Sequence, residues 1–106
     1  MTSVRFRRDK SGRLSGFTVR GHTGYAPAGE DIVCAAVSAL SQTAVNALEA
    51  VAGVEPEVIV RSGFLSARLP QGLRAKQRYA AEIILRSVRQ GLEDIAKAYP
   101  DLVKVS

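Results

Sequence analysis

Hydrophobic and polar residues alternate at the start of the chain. Val4 and Phe6 interleave with Arg5 and Arg7, and Phe17 and Val19 interleave with Thr18 and Arg20. A period of two sends one set of side chains to a core and the other to water, as in a half-buried strand. Asp9-Lys10-Ser11-Gly12 supplies turn residues between them. The spacing therefore predicts a β-hairpin with strands near 3–8 and 14–20. The segment from Gly21 to Gly29 holds three glycines and Pro27 and reads as a loop.

From Asp31 the period changes to that of a helix. Ile32, Ala36, Ala39, Leu40, Thr43, Ala47, Leu48 and Val51 recur at three- and four-residue spacing, and Val33 and Val37 widen the stripe. Asp31 is a good N-cap type, so the helix is expected to open there and to run without Gly or Pro until Gly53. Beyond Pro56, Val58 and Val60 face Phe64, Leu65, Ala67 and Leu69 across Ser62-Gly63, a second hairpin signal. Pro70-Gln71-Gly72 breaks the chain again.

A second helix is expected from about Arg74 to Tyr99, with Tyr79, Ile83, Ile84, Val88, Leu92, Ile95 and Tyr99 on its apolar stripe. Glu82/Arg86, Arg89/Glu93 and Glu93/Lys97 have the spacing of ion pairs on its wet side. Gly91 stands inside it without a sequence-level reason, at a cost of about 1 kcal/mol relative to Ala. After Pro100, Leu102, Val103 and Val105 make a last short strand. The order ββαββαβ predicts an α+β fold, one mostly antiparallel sheet with two helices packed on it.

Length and composition bound this picture. The 106 residues suit a single domain, 1–106, and 46% apolar with 24% charged residues is ordinary for a packed globule rather than a disordered chain. The longest nearly apolar run, Ile32 to Leu40, is far short of the ~20 residues a membrane helix needs. No secretory pattern opens the chain, so no membrane association and a cytoplasmic location are expected. The net charge of +5 is concentrated: residues 1–20 carry six basic residues against Asp9 alone, and the remainder balances. A basic hairpin of that kind can sit against phosphate. Its bland counterpart is a solvated face, and no known nucleic-acid motif is present.

Two residue types occur once. One cysteine, Cys34, makes an internal disulfide impossible, and Cys34 with the single histidine, His22, is too poor a ligand set for a structural zinc. No metal and no cofactor are expected. The thiolate rather than the thiol is a nucleophile. With Asp31 as N-cap, Cys34 would lie in the first helical turn, where unpaired N–H groups favour an anion and its own amide could serve an oxyanion. His22 is separated from Cys34 by eleven residues, and the intervening glycines permit a return that would let the imidazole take the thiol proton. Ile-Val-Cys-Ala-Ala-Val is equally the setting of a buried, inert cysteine. Against burial, Ser38, Ser41, Gln42, Asn46 and Glu49 continue a polar stripe from Cys34.

Gly21-His22-Thr23-Gly24-Tyr25, followed by Gly29-Glu30-Asp31-Ile32-Val33-Cys34-Ala35-Ala36-Val37-Ser38-Ala39-Leu40 and by Val45-Asn46, resembles the ribosomal-processing cysteine protease family, Prp. The similarity is dense over residues 21–48. It implies a dimeric cytoplasmic endopeptidase that removes the N-terminal extension of a large-subunit ribosomal protein precursor, cleaving after aromatic residues. The family's catalytic pair falls on His22 and Cys34. Asp31 and Ser38 match supporting positions, and Gly21, Gly24, Tyr25 and Gly29 belong to a substrate loop that covers the peptide groove. Thr23 departs from the alanine usual after Gly-His. The basic hairpin is left over by the resemblance, and contact with ribosomal RNA is the partner it suggests. The alternatives are a non-enzymatic RNA- or ribosome-associated module with Cys34 in its core, and a redox-responsive thiol protein that would need an intermolecular partner.

Overall fold

Both hairpins form where alternation and turn residues place them. The computed structural model describes the backbone of residues 1–21 and 28–106, and the side chains of residues 1–21 and 32–106. Its elements are β1 (Thr2–Arg8), β2 (Leu14–Arg20), α1 (Ala28–Ala50), β3 (Glu57–Arg61), β4 (Phe64–Arg68), α2 (Ala75–Ala98) and β5 (Val103–Val105). They build one sheet of order β3-β4-β2-β1-β5. β5 runs parallel to β1, and the other neighbours pair antiparallel. The α+β architecture is the one expected.

Register explains the core. Val4 pairs with Val19 and Phe6 with Phe17, while Val19 also pairs with Leu65 and Phe17 with Ala67. These residues therefore share one face of the sheet, and the two helices lie on it. α2 packs on β5 and β2, and α1 packs on α2. The layer between them is filled by Phe17, Leu48, Leu85, Leu92, Val4 and Val103, all fully buried. Removing such large apolar side chains from water is worth about 1.5–3 kcal/mol each.

The helices differ from expectation in their facing. In α1 the buried line is Val33, Val37, Ser41, Ala44 and Leu48, whereas Ile32 and Val51 lie in solvent. An alanine-rich helix has apolar residues on most sides, so spacing alone does not choose its face. Ser41 reaches the buried line because its Oγ donates to the Val37 carbonyl oxygen at 2.7 Å, which satisfies it internally. α1 is long and apolar enough to cross a membrane by length and composition alone, yet its buried line packs within the domain.

In α2 the buried residues are Ala81, Leu85, Val88 and Leu92, while Tyr79, Ile83 and Tyr99 are exposed. Of the three expected ion pairs, Arg89–Glu93 closes at 2.8 Å. Glu82 instead accepts a hydrogen bond from the Leu14 backbone N–H at 2.7 Å, tying α2 to the start of β2. Gly91 acquires its reason here. A Cβ at that position would stand 3.0 Å from Leu40 Cδ1, so the glycine leaves room for the Leu40 side chain between α1 and α2.

Candidate active site

Two helices do not cover five strands. With α1 and α2 packed on each other over β5, β1 and β2, the β3–β4 hairpin extends past them, and β3 is exposed along its whole length. The space between α1 and this hairpin is an open groove of about 370 Å³. One wall is α1, presenting Cys34, Ser38, Gln42, Val45 and Asn46. The other is β3 and β4, presenting Val58, Val60 and Leu65, with Arg61, Gly63 and Phe64 at the rim where the hairpin turns.

Cys34 is half-buried at one end of this groove and is not sealed in the core. Its position in α1 corrects the sequence reading. The helix already includes Ala28, so Asp31 lies within it rather than capping it, Gly29 belongs to the helix rather than the loop, and Cys34 is the seventh helical residue. The unpaired amides of an α-helix are its first four. The amide of Cys34 therefore lies within the regular hydrogen-bond ladder, and the helix terminus is too distant to be the main activator of its sulfur. A proton acceptor must come from elsewhere.

Ser38 stands one turn after Cys34 on the same wall. Its Oγ accepts a hydrogen bond from Gln42 Nε2 at 2.8 Å, which leaves the hydroxyl proton available to the groove. Of the polar stripe expected along α1, Ser38, Ser41, Gln42 and Asn46 line the site with Cys34, Ser41 from its buried side, and Glu49 does not.

His22, Gly24 and Tyr25 lie outside the described residues, as does Thr23. The residue before the histidine is well defined. Gly21 closes β2 with a φ of +90°, and its N–H donates to the Gly63 carbonyl oxygen at 3.1 Å. A Cβ on Gly21 would come within 2.3 Å of the Met1 carbonyl oxygen. Gly63 and Thr2 both line the groove beside Cys34, so the chain departs toward His22 from the rim of the site. The strand end before the histidine is thus hydrogen-bonded to Gly63, a residue that lines the same cavity as Cys34.

The far wall was not foreseen from the sequence. Val58, Val60 and Leu65 were legible as strand residues, but their role depends on which part of the sheet the helices leave open. The available signal was Val58-Ile59-Val60, apolar on both faces in a short strand. Among the described residues no three His, Cys, Asp or Glu side chains gather as a metal site would require.

Comparison with known proteins agrees with the geometry. The family described as Cysteine protease Prp matches residues 1–104. The ribosomal processing cysteine protease Prp of Bacillus subtilis (strain 168) is 31% identical over 108 residues, spanning 100% of this chain and 96% of the relative. A crystal structure from Streptococcus mutans superposes with a TM-score of 0.88 at 30% identity, covering 100% of this chain and 92% of the other. Staphylococcus aureus Prp in complex with a substrate peptide has the same fold, with a TM-score of 0.87 at 22% identity and coverage of 100% and 98%. These matches set aside the non-enzymatic and redox alternatives: the chain belongs to the Prp family of cysteine proteases.

Proposed function

We propose that this protein is a cytoplasmic, homodimeric endopeptidase that removes the N-terminal extension of a large-subunit ribosomal protein precursor, with Cys34 as nucleophile and His22 as its base. The observation that carries the reading is the placement of Cys34 at the end of an open groove between a mixed polar and apolar helix wall and a mainly apolar hairpin wall. A cavity of this size accepts a bulky side chain of an extended peptide. Val37, Val45, Val58, Val60 and Leu65 give it the surface that an aromatic residue next to the scissile bond would fill.

The chemistry balances as acyl transfer. Cys34 passes its proton to the imidazole of His22, and the sulfur forms a bond to the scissile carbonyl carbon. The carbonyl π electrons move to the oxygen. As the tetrahedral intermediate collapses, the C–N bond breaks and the imidazolium gives its proton to the departing amine, leaving a thioester on Cys34. Water, deprotonated by His22, then attacks the thioester carbonyl and releases the free carboxylate and the thiol. Ser38 supports the reading as a hydroxyl donor one turn from the sulfur, held in place by Gln42. Asp31, within α1 three residues before Cys34, is assigned to orienting His22. The Staphylococcus aureus protein seen with a substrate peptide supports a peptide as the occupant of the groove.

The test is cleavage of a synthetic peptide spanning an extension junction with aromatic residues before the scissile bond. Cys34→Ala and His22→Ala are each expected to lower kcat by about 10³-fold or more with the melting temperature retained. Turnover within tenfold of the parent in either variant overturns the mechanism. Iodoacetamide alkylation of Cys34 at neutral pH is expected to slow in His22→Ala, since the imidazole is the acceptor that α1 does not provide. An unchanged rate would remove His22 from the resting site.

A further inference from the structure

The face of the sheet opposite the helices is an ordered basic surface, and register shows its composition. Along one row, β5 to β3, stand Lys104, Ser3, Arg20, Phe64 and Arg61. The next row begins with Arg5 and continues across Thr18 and Ser66 to Ile59. A third carries Arg7, Gly16, Arg68 and Glu57. The six basic residues on these rows are all exposed, and Glu57 is the one acid among them. Among the described residues none of the six takes part in an ion pair. The charge that the sequence concentrates in the first hairpin is thus extended by β4, β3 and β5 into a surface five strands wide, roughly 20 Å at ordinary strand spacing.

Three features identify the kind of ligand. The density of unpaired cations calls for a polyanion. The centre of the surface is low, built from Gly16, Thr18 and Ser66, with arginines on both sides. One row holds a stacking element: the Arg20 guanidinium lies 4.7 Å and that of Arg61 5.3 Å from the Phe64 ring centroid. Bases of a single strand stack on aromatic rings and on guanidinium planes, and open sheets are a recurrent platform for this. A lipid surface is matched less well, because Ile59 is the only aliphatic side chain on the three rows available for insertion.

We propose that this open sheet face binds single-stranded RNA, beside the peptide groove, with Arg61 and Phe64 at the rim the two share. The choice of RNA over DNA rests on the ribosomal reading of the protease; the polyanion site rests on the surface alone. Arg5, Arg7 and Arg68 would contact phosphates, and the Arg20-Phe64-Arg61 row would stack a base. The enzyme would then engage its substrate's surroundings with this face while the peptide occupies the groove that adjoins it at Arg61 and Phe64.

The test measures fluorescence anisotropy of a labelled 20-nucleotide single-stranded RNA with the full chain at 50–200 mM salt. Binding is expected to weaken steeply with salt. The triple variant Arg5→Glu, Arg7→Glu, Arg68→Glu is expected to lose at least tenfold in affinity and to show a log–log salt slope reduced by about 2, at about 0.7 per phosphate contact. An equal charge exchange on α2, Lys76→Glu, Arg86→Glu, Lys97→Glu, is expected to lose less than threefold. Peptide cleavage by both triple variants is expected to match the parent, which confirms folding and keeps this result separate from the protease reading. Equal losses in the two variants would reduce the effect to net charge and overturn the proposal. So would absence of RNA binding at 50 mM salt, preference for single-stranded DNA of the same sequence, binding to anionic phosphatidylserine vesicles but not RNA, or conversion to monomers by the sheet-face variant, which would make the face a contact between copies.

Discussion

The two hairpins are written in nearly the same pattern and meet opposite fates. In β1–β2 the apolar members of the alternation, Val4, Phe6, Phe17 and Val19, are buried beneath the helices. In β3–β4 the corresponding members on the same sheet face include Val58 at 39% and Val60 at 69% exposure. Alternation encodes which face a residue occupies but not whether anything covers that face. Because α1 and α2 hold each other over the first hairpin, the second is left as one wall of a groove, and the apolar surface that would have been core becomes the surface available to substrate. The site exists because the helical layer is narrower than the sheet.

The largest effect expected from this contrast is on stability. Phe17 is 0% exposed, and Phe17→Ala should cost about 3–5 kcal/mol in urea unfolding, the sum of lost burial and a cavity. Val60→Ala, in the same alternation, should change stability by no more than about 0.5 kcal/mol, because its side chain is already largely in water. A loss at Val60 approaching that at Phe17 would show the second hairpin covered in solution and the groove closed.

Next in size is Gly21→Ala. The new Cβ meets the Met1 carbonyl oxygen, and φ is +90°, so the strand end must shift. The expected cost is about 1–3 kcal/mol, read as a lowered melting temperature. Because Gly21 fixes the point from which the chain leaves for His22, kcat for the junction peptide should fall further than the loss of folded protein explains. A fall in Tm with kcat intact would mean that the histidine's position is set by something other than this strand end.

Much of this was legible beforehand, for identifiable reasons. Strands with period two and Asp-Lys-Ser-Gly or Ser-Gly turns declare themselves locally, as did the interval from Arg74 to Tyr99 between Pro70 and Pro100. The start of α1 was not legible, because Ala28, Gly29 and Glu30 contain no firm stop and Asp31 offers a persuasive but unused cap. Its burial face was not legible either: Ala, Val and Leu surround the helix, and tertiary contact chose Val33-Val37-Ala44-Leu48. Cys34 stood out as the head of a polar stripe and by resemblance. Val58 and Val60 did not, since they join the site only through a sheet order that brings residues some two dozen positions away against α1.

A smaller expected effect concerns the groove itself. Val60→Asp places a carboxylate on the apolar wall, where an incoming aromatic side chain would have to desolvate it. KM for the junction peptide should rise about tenfold or more, with stability nearly unchanged because the residue is exposed. Ile59→Asp, one residue away but on the opposite sheet face, is the control and should leave KM within twofold. Equal effects at both positions would detach the peptide from this wall.

The smallest effect tests why the helices leave the second hairpin bare. Gly91→Ala gains about 1 kcal/mol of helix propensity but sets a methyl 3.0 Å from Leu40 Cδ1. The two contributions oppose, and the net change should fall within about 0.5 kcal/mol. In a Leu40→Ala background the contact is gone, so the same substitution should stabilise by about 1 kcal/mol relative to Leu40→Ala alone. The two changes are therefore coupled, and a double-mutant cycle in urea should return an interaction energy of about 0.5–1.5 kcal/mol. Additivity would mean that the α1–α2 contact yields freely. The close approach at Gly91 would then no longer explain why both helices stay over β1 and β2 while the groove beside Cys34 remains open.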